Sequence, residues 1–250
     1  MAGDLEGFNF EQRHGKDRVR VARVWRAADG RHFMVEWGVS ISLFSDCVGA
    51  YTRDDNSGIV ATDTMKNTVY AKAKECSEQL SVEQFAILLA KHFTSFYKEV
   101  TAAVVVIVEK PWERVYVDGQ PHEHGFKLGS EKHTTEVTVK KSGALKLTSG
   151  IAGLSVLKTT MSGFEGFIRD EYTALPETRE RMLATEVTAT WRFPDISAVQ
   201  LKMPNIHFLP VNIPTKDNPS MVKFNDDVYL PTDEPHGSIQ ASLSRFWSRM

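Results

Sequence analysis

The chain has little cysteine, little net charge and no long apolar run. Its 250 residues contain only two cysteines, Cys47 and Cys76, which argues against a disulfide framework and favours a reducing compartment. No stretch of about eighteen apolar residues occurs, so no membrane-spanning helix is expected. The formal charge of −2 gives no general attraction to nucleic acid or to anionic membranes, and neither is expected as a partner.

The motifs of several common enzyme classes are also absent. The sequence has no phosphate-binding glycine loop, no dinucleotide-binding fingerprint and no nucleophile elbow. Its first residues are polar and acidic, unlike those of a secretory signal peptide, so no secretion signal is expected. The hydrophobic content is ordinary, and 250 residues are enough to bury a full core.

Alternating apolar residues predict an opening antiparallel hairpin. Residues 33–43 alternate as a long half-buried strand, Val19 to Trp25 form its partner, and Asp29-Gly30 supplies the turn. Lys66 to Cys76 is helix-like, and Ser81 with Gln84 has the pattern of a capping box that begins a second helix. A strand over residues 102–108 follows.

The order of elements then partly repeats. Residues 135–139 and 145–157 predict a second long hairpin, and residues 187–193 predict a strand. Further predicted elements are helices over Phe164–Tyr172 and Pro176–Leu183 and strands over Val199–Met203 and Ile239–Leu243. We interpret the chain as an α+β protein of two modules, residues 1–125 and residues 126–250.

The second module lacks one element of the first. No long amphipathic helix precedes the Val199 strand, because Phe193-Pro194-Asp195 joins two strand-like runs almost directly. Such a junction is short for strands that should lie apart in a sheet. The second module therefore has the pattern of a shortened copy, with its junction near Phe193–Asp195.

Two polar pairs are the first candidates for a functional site. Thr62 and Asp63 stand where a helix begins; both residue types cap helices, but a helix start also presents backbone amides to an anionic ligand. Asn205 and His207 share one face of a predicted strand end. They are either ordinary polar surface residues or a proton shuttle beside an amide that holds a small polar molecule.

Three single residues each have an ordinary structural interpretation and a functional one. Lys16, placed just before the first strand, is either a surface charge or a base whose pKa is lowered by burial. Phe164 is either core packing or a stacking surface, and Arg181 is either exposed or a planar donor of two hydrogen bonds. A flat anionic heterocycle would need both of these last two groups.

A histidine cluster allows a different hypothesis. His122, His124 and His133 could bind zinc and support a metal hydrolase. However, Pro121 and Gly125 indicate a loop, and the spacing matches no standard ligand set.

Five stretches resemble motifs of the urate oxidase (uricase) family, and of its plant branch in particular. They occur in the family's order at His14–Lys16, Val60–Val69, Gly166–Thr173, Met203–Phe208 and Asp233–Gly237. The resemblance implies the tunnelling fold (T-fold), in which two modules of hairpin and helix per chain close into a barrel within a homotetramer. It also implies oxidation of urate by dioxygen to 5-hydroxyisourate and hydrogen peroxide, with neither a metal nor an organic cofactor.

The resemblance also implies a role for each candidate. Lys16 and Thr62 would form the base, and His207 would complete the proton relay. Asn205 would hold dioxygen or peroxide, while Phe164 would stack on urate. Arg181 would bind its oxygens. Thr62 and Asp63 would come from a neighbouring subunit.

Between the Trp191 and Val199 strands, the sequence departs from the family. Family members have a further segment there, which includes the second module's long helix and a glutamine that binds urate opposite the arginine. We therefore expect a shortened form that folds poorly or has little activity. The alternative is a non-catalytic subunit that joins full-length tetramers.

The last three residues, Ser248-Arg249-Met250, resemble a peroxisomal targeting signal. They predict a peroxisomal location and an import receptor as a partner.

Overall fold

The computed structural model describes residues 12–193 and the backbone of residues 221–225 and 228–231. The chain begins with a long antiparallel hairpin of β1 (Arg13–Arg26) and β2 (His32–Ser45), as the alternation predicts. A short helix α1 (Gly49–Thr52) follows, then α2 (Thr62–Glu75) and α3 (Val82–Phe96).

The start of α3 is set by a capping box. The Ser81 hydroxyl accepts a hydrogen bond from the Gln84 amide at 3.2 Å, and the Gln84 side chain accepts one from the Ser81 amide at 2.9 Å. These two bonds satisfy amides that the helix itself leaves without partners. The sequence prediction of this helix start is confirmed.

A six-stranded sheet organises the main unit. Its further strands are β3 (Val100–Lys110), β6 (Lys132–Lys140), β7 (Leu145–Lys158) and β8 (Leu183–Phe193), in the order β1-β2-β3-β6-β7-β8. Separate pairs are formed by β4 (Trp112–Val117) with β5 (Gln120–Leu128), and by β9 (Met221–Asn225) with β10 (Val228–Pro231).

Helix α3 covers one face of this sheet, and the core lies between them. Trp37 of β2 stacks on Phe85 of α3 with ring centroids 4.4 Å apart, and both side chains are fully buried. Helix α2 lies against β1 and buries Met65, Val69 and Ala73. The hydrophobic effect on these two helical faces is the main force that holds this layer together.

Glu36 is a nearly buried carboxylate of β2 that three side chains bind. It accepts hydrogen bonds from Arg20 at 2.7 Å and from the Trp112 indole at 3.0 Å, and it pairs with Lys110 at 2.8 Å. The pairing with Lys110, followed by the bond from Arg20, lowers the pKa of Glu36 to about 2. Since Trp112 belongs to β4, this cluster also ties the β4–β5 pair to strand β2.

The segment between β7 and β8 contradicts the two predicted helices. Among residues 159–182 the structure has turns, bends and an isolated antiparallel bridge between Phe164 and Thr178, but no helix. Gly166 adopts a φ of +70°, and the Asp170 carboxylate accepts a hydrogen bond from the Tyr172 amide at 2.9 Å. Local bonds of this kind offer the backbone an alternative to the helical pattern.

The described residues divide into two compact units. The first contains residues 12–154 and 188–193, and the second contains residues 155–187 and the β9–β10 pair. The module boundary at residue 125 stays a prediction from the sequence. The predicted strands over 199–203 and 239–243 and the junction residues Pro194 and Asp195 lie outside the described residues.

Both cysteines are buried in the first unit. Burial raises the pKa of the Cys47 and Cys76 thiols, and the Cys76 thiol donates a hydrogen bond to the Lys72 carbonyl at 3.1 Å. None of the described helices is long and apolar enough to cross a membrane.

Candidate active site

Lys16 lies within β1, opposite Ile41 of β2, and not before the strand as the sequence was interpreted. The residue before it must be glycine, because a Cβ at position 15 would stand 2.1 Å from the Ile41 carbonyl oxygen. Close approach of the two backbones is therefore the reason for Gly15. The Lys16 side chain next to it is half-buried.

A β-bulge decides which face of the sheet Lys16 occupies. Lys16 pairs with Ile41 but Val19 pairs with Val39, so β1 has one residue more than β2 over this stretch. Arg18 lies in this bulge with a φ of +54°, and its backbone amide donates a hydrogen bond to the Ser40 hydroxyl at 3.2 Å. A bulge shifts the alternation by one residue, and here it keeps Lys16 on the helix-covered face with Val19.

Helix α2 begins at Thr62, and its N-cap is Ala61 with no side-chain capping bond. The capping interpretation of Thr62-Asp63 is thus wrong. Thr62 is exposed at the first helical position, next to backbone amides that have no acceptor within the helix. Such an end of a helix favours a negatively charged ligand.

Asp63 is held by two residues that follow it in α2. It pairs with Lys66 at 2.7 Å and accepts a hydrogen bond from the side-chain amide of Asn67 at 2.8 Å. The Lys66 contact lowers the pKa of Asp63, and the charge of Lys16 adds a smaller effect of the same sign. Lys16 and Asp63 of one chain therefore lie within electrostatic range of each other.

Phe164 and Arg181 come together in the second unit. The Arg181 guanidinium carbon lies 5.9 Å from the centroid of the Phe164 ring, and Phe167 stacks on that ring at 4.6 Å with an interplanar angle of 9°. Phe164 itself is fixed by reciprocal backbone bonds with Thr178, at 2.8 and 3.3 Å. An aromatic face and a planar cation are thus adjacent, as a flat anionic ring requires.

The remaining candidates belong to the C-terminal part of the chain. Asn205, His207 and the predicted targeting residues Ser248, Arg249 and Met250 lie outside the described residues.

The histidine cluster lies on a strand, not in the predicted loop. His122 and His124 belong to β5, with ring centroids 4.7 Å apart, whereas His133 of β6 lies 3.7 Å from a carboxylate oxygen of Glu109, which raises its pKa. In the part of the chain that the structure describes, no three histidine, cysteine or acidic residues stand together as a metal site.

Several residues around the candidates stand in the family motifs, but the sequence assigned them no role. Lys66 and Asn67 follow Asp63 at helical spacings of three and four, which could have identified them. Phe167 and His14, whose imidazole Nε2 hydrogen-bonds to the Val60 carbonyl at 2.9 Å, gave no comparable signal.

A sequence model described as Uricase matches residues 12–138 and 147–196. The chain belongs to the uricase family. The match includes Lys16, Thr62, Asp63, Phe164 and Arg181, and it ends at residue 196, directly after the predicted junction.

Two plant uricases show the same relationship over nearly the whole chain. Uricase-2 of Phaseolus vulgaris is 64% identical over 304 residues, covering 98% of each chain. The uricase of Arabidopsis thaliana is 57% identical over 309 residues, covering 100% of each. Both aligned lengths exceed the 250 residues of this chain, so part of these uricases has no counterpart in it.

A crystal structure of the Arthrobacter globiformis uricase confirms the predicted fold class. It matches 78% of this chain at 37% identity with a TM-score of 0.64, and the chain spans 66% of that protein's length, just under two thirds. The fold is the α+β T-fold. None of these comparisons favours a metal hydrolase or a non-catalytic uricase subunit.

Proposed function

We propose that this chain is a urate oxidase, which converts urate, dioxygen and water into 5-hydroxyisourate and hydrogen peroxide. The observation that supports this most strongly is the joint placement of Lys16 and the Thr62-Asp63 helix start in the first unit of a uricase-family chain. Deprotonation makes electron-rich urate a better donor of electrons to dioxygen. The reaction proposed needs a base, orientation and electrostatic stabilisation, and no cofactor.

Lys16 and Thr62 form the base in this proposal. The Thr62 hydroxyl takes a proton from urate and passes its own proton to the Lys16 amine, which sits half-buried on the helix-covered face. The free amides at the start of α2 stabilise the negative charge that deprotonation leaves on the ring. Asp63 holds the first turn of the helix through Lys66 and Asn67.

Phe164 and Arg181 bind the ring itself. Phe164 offers a face for stacking, and the Arg181 guanidinium, already adjacent to that face, binds urate oxygens in its plane. By the family resemblance, Asn205 holds dioxygen or peroxide above the ring, and His207 completes the proton relay. Thr62 and Asp63 serve the site of a neighbouring subunit, so the proposed active form is a homotetramer.

The shortened second module limits this activity. Part of the plant uricases has no counterpart here, and by the resemblance it contains a helix and a glutamine that binds urate. We expect low turnover because one side of the urate site is incomplete. The proposed location is the peroxisome, with Ser248-Arg249-Met250 bound by an import receptor.

A urate assay on the purified chain tests the proposal. The fall of urate absorbance is followed with size measured on the same sample, and Lys16→Met is compared with Lys132→Met, an exposed lysine at the start of β6. We expect slow turnover by an assembled fraction that Lys16→Met abolishes and Lys132→Met leaves unchanged. Turnover that is absent from an assembled wild-type tetramer, or equal in both variants, contradicts it.

A further inference from the structure

We propose that His14 is a positioning residue that fixes the start of α2 relative to Lys16. The inference rests on the proposed function for its catalytic consequence, but its structural part stands on contacts of the first unit alone. His14 lies two residues before Lys16 in β1, and Val60 lies two residues before Thr62. The hydrogen bond between them joins the two halves of the proposed base.

The geometry of this bond fixes the roles of its atoms. His14 Nε2 lies 2.9 Å from the Val60 carbonyl oxygen, and a carbonyl can only accept, so the imidazole donates its Nε2 hydrogen. Val60 is buried and His14 is half-buried, which keeps water from competing freely for the carbonyl. The bulge after Lys16 places His14 on the same face as Lys16 and α2.

The two ends of α2 are held to β1 unequally. At the far end, the Cys76 carbonyl accepts hydrogen bonds from Arg23 at 3.2 Å and from the Trp25 indole at 3.1 Å. At the Thr62 end, among the described residues, His14 supplies the side-chain bond from β1. Loss of the His14 donor should therefore leave the far end in place and release the near end.

Release of the Thr62 end of α2 differs from unfolding of the helix. Met65, Val69 and Ala73 keep α2 packed on the core, so the helix should persist while its first turn shifts relative to Lys16. A misplacement of about 1 Å costs about 100-fold in a positioned reaction. Since Phe164 and Arg181 belong to the other unit, urate affinity should change little, and the loss should fall on kcat.

The test compares His14→Phe, which keeps a ring but has no donor, with His14→Gln, whose amide can still donate. The matched control is Arg13→Leu, at the exposed neighbouring position of the same strand. Amide hydrogen exchange is followed over residues 57–66 and over residues 70–78, and kcat and KM are measured with urate. If His14→Phe does not fold, His14→Asn, whose amide is too short to reach Val60, replaces it.

We expect faster exchange in His14→Phe at residues 57–66 only, with kcat lowered about 10- to 100-fold and KM nearly unchanged. His14→Gln should restore both, and Arg13→Leu should match the wild type. Unchanged exchange over residues 57–66 in the donor-free variant overturns the inference. An inactive wild type refutes the proposed function instead, and hydrogen exchange then decides the role of His14 by itself.

Discussion

Strands β3 and β8 have the same length and the same alternating pattern, yet only one of them is buried. In β3, Val105 and Ile107 are fully buried beneath α3. In β8, Val187, Ala189 and Trp191 alternate in the same way, but each stays partly exposed, and the Trp191 indole nitrogen has no hydrogen-bond partner in the described part of the chain.

The difference shows that alternation specifies a strand but not its burial. Burial needs a second layer, and α3 supplies that layer for β3. None of residues 151–193 is buried in the structure, and this is the region that precedes the predicted loss of a helix.

Deletion of Arg18 should abolish the proposed base, formed by Lys16 and Thr62 in the first unit. Without the bulge, the alternation of β1 shifts by one residue, and Lys16 and His14 move to the face opposite α2. Loss of a positioned base costs about 10²- to 10⁴-fold in kcat. Arg18→Gly keeps the bulge and suits the φ of +54°, so it should retain activity. Equal urate turnover in the two variants would refute the role of the bulge.

Insertion of the missing segment should give the second module the long helix that it lacks by the family resemblance. The stretch of the Phaseolus relative that has no counterpart here, placed between Phe193 and Asp195, should raise turnover at least about 100-fold by completing the site. Urate decay and sedimentation velocity provide the measurements. A glycine-serine linker of equal length is the control and should leave turnover low. The idea fails if the linker is as effective as the segment.

Truncation of one residue in each strand should give unequal losses of stability. Ile107→Ala in β3 should lower the free energy of unfolding by about 2–5 kcal/mol, because the site is fully buried and leaves a cavity. Val187→Ala in β8 should cost less than about 1 kcal/mol, since water already reaches it. Urea unfolding measures both. Similar losses would show that β8 is covered after all.

Neutralisation of Glu36 should destabilise the first unit in a pH-dependent way. Its pKa falls from 4.5 to about 2 on folding, so the ionised carboxylate contributes stability above about pH 4.5, and this contribution disappears as the pH falls towards 2. Allowing for the exposure of Arg20, Glu36→Gln should cost on the order of 1–2 kcal/mol at pH 7. Thermal unfolding of both proteins from pH 7 to pH 2 should converge. A constant difference would mean that the charge is not the cause.

Local signals in the sequence predicted much of this fold. The Ser81–Gln84 capping box, the Asp29-Gly30 turn and the alternation of β2 are encoded by neighbouring residues, and each appears in the structure. The helices predicted around Phe164 and Pro176 failed because apolar spacing cannot reveal the bonds between Phe164 and Thr178. Those bonds join residues far apart in the sequence.

The roles of the candidate site residues stay predictions. The family motifs identified Lys16, Thr62 and Asp63, and the structure places them in one unit. It could not be foreseen that Lys16 needs a bulge to reach the helix side, because Asp17 and Arg18 are ordinary residues for a strand edge. The hydrogen bond of His14 to the Val60 carbonyl could not be foreseen either, since every residue has a backbone carbonyl and the sequence does not mark this one as an acceptor.

The buried cysteines have a consequence for the lifetime of the protein during turnover. Peroxide attacks the thiolate form, and burial raises the pKa of both Cys47 and Cys76, which keeps them protonated and shielded. Under the proposed function each turnover releases hydrogen peroxide, and both thiols should resist oxidation by this product. Intact mass after many turnovers should show no added oxygen on either cysteine.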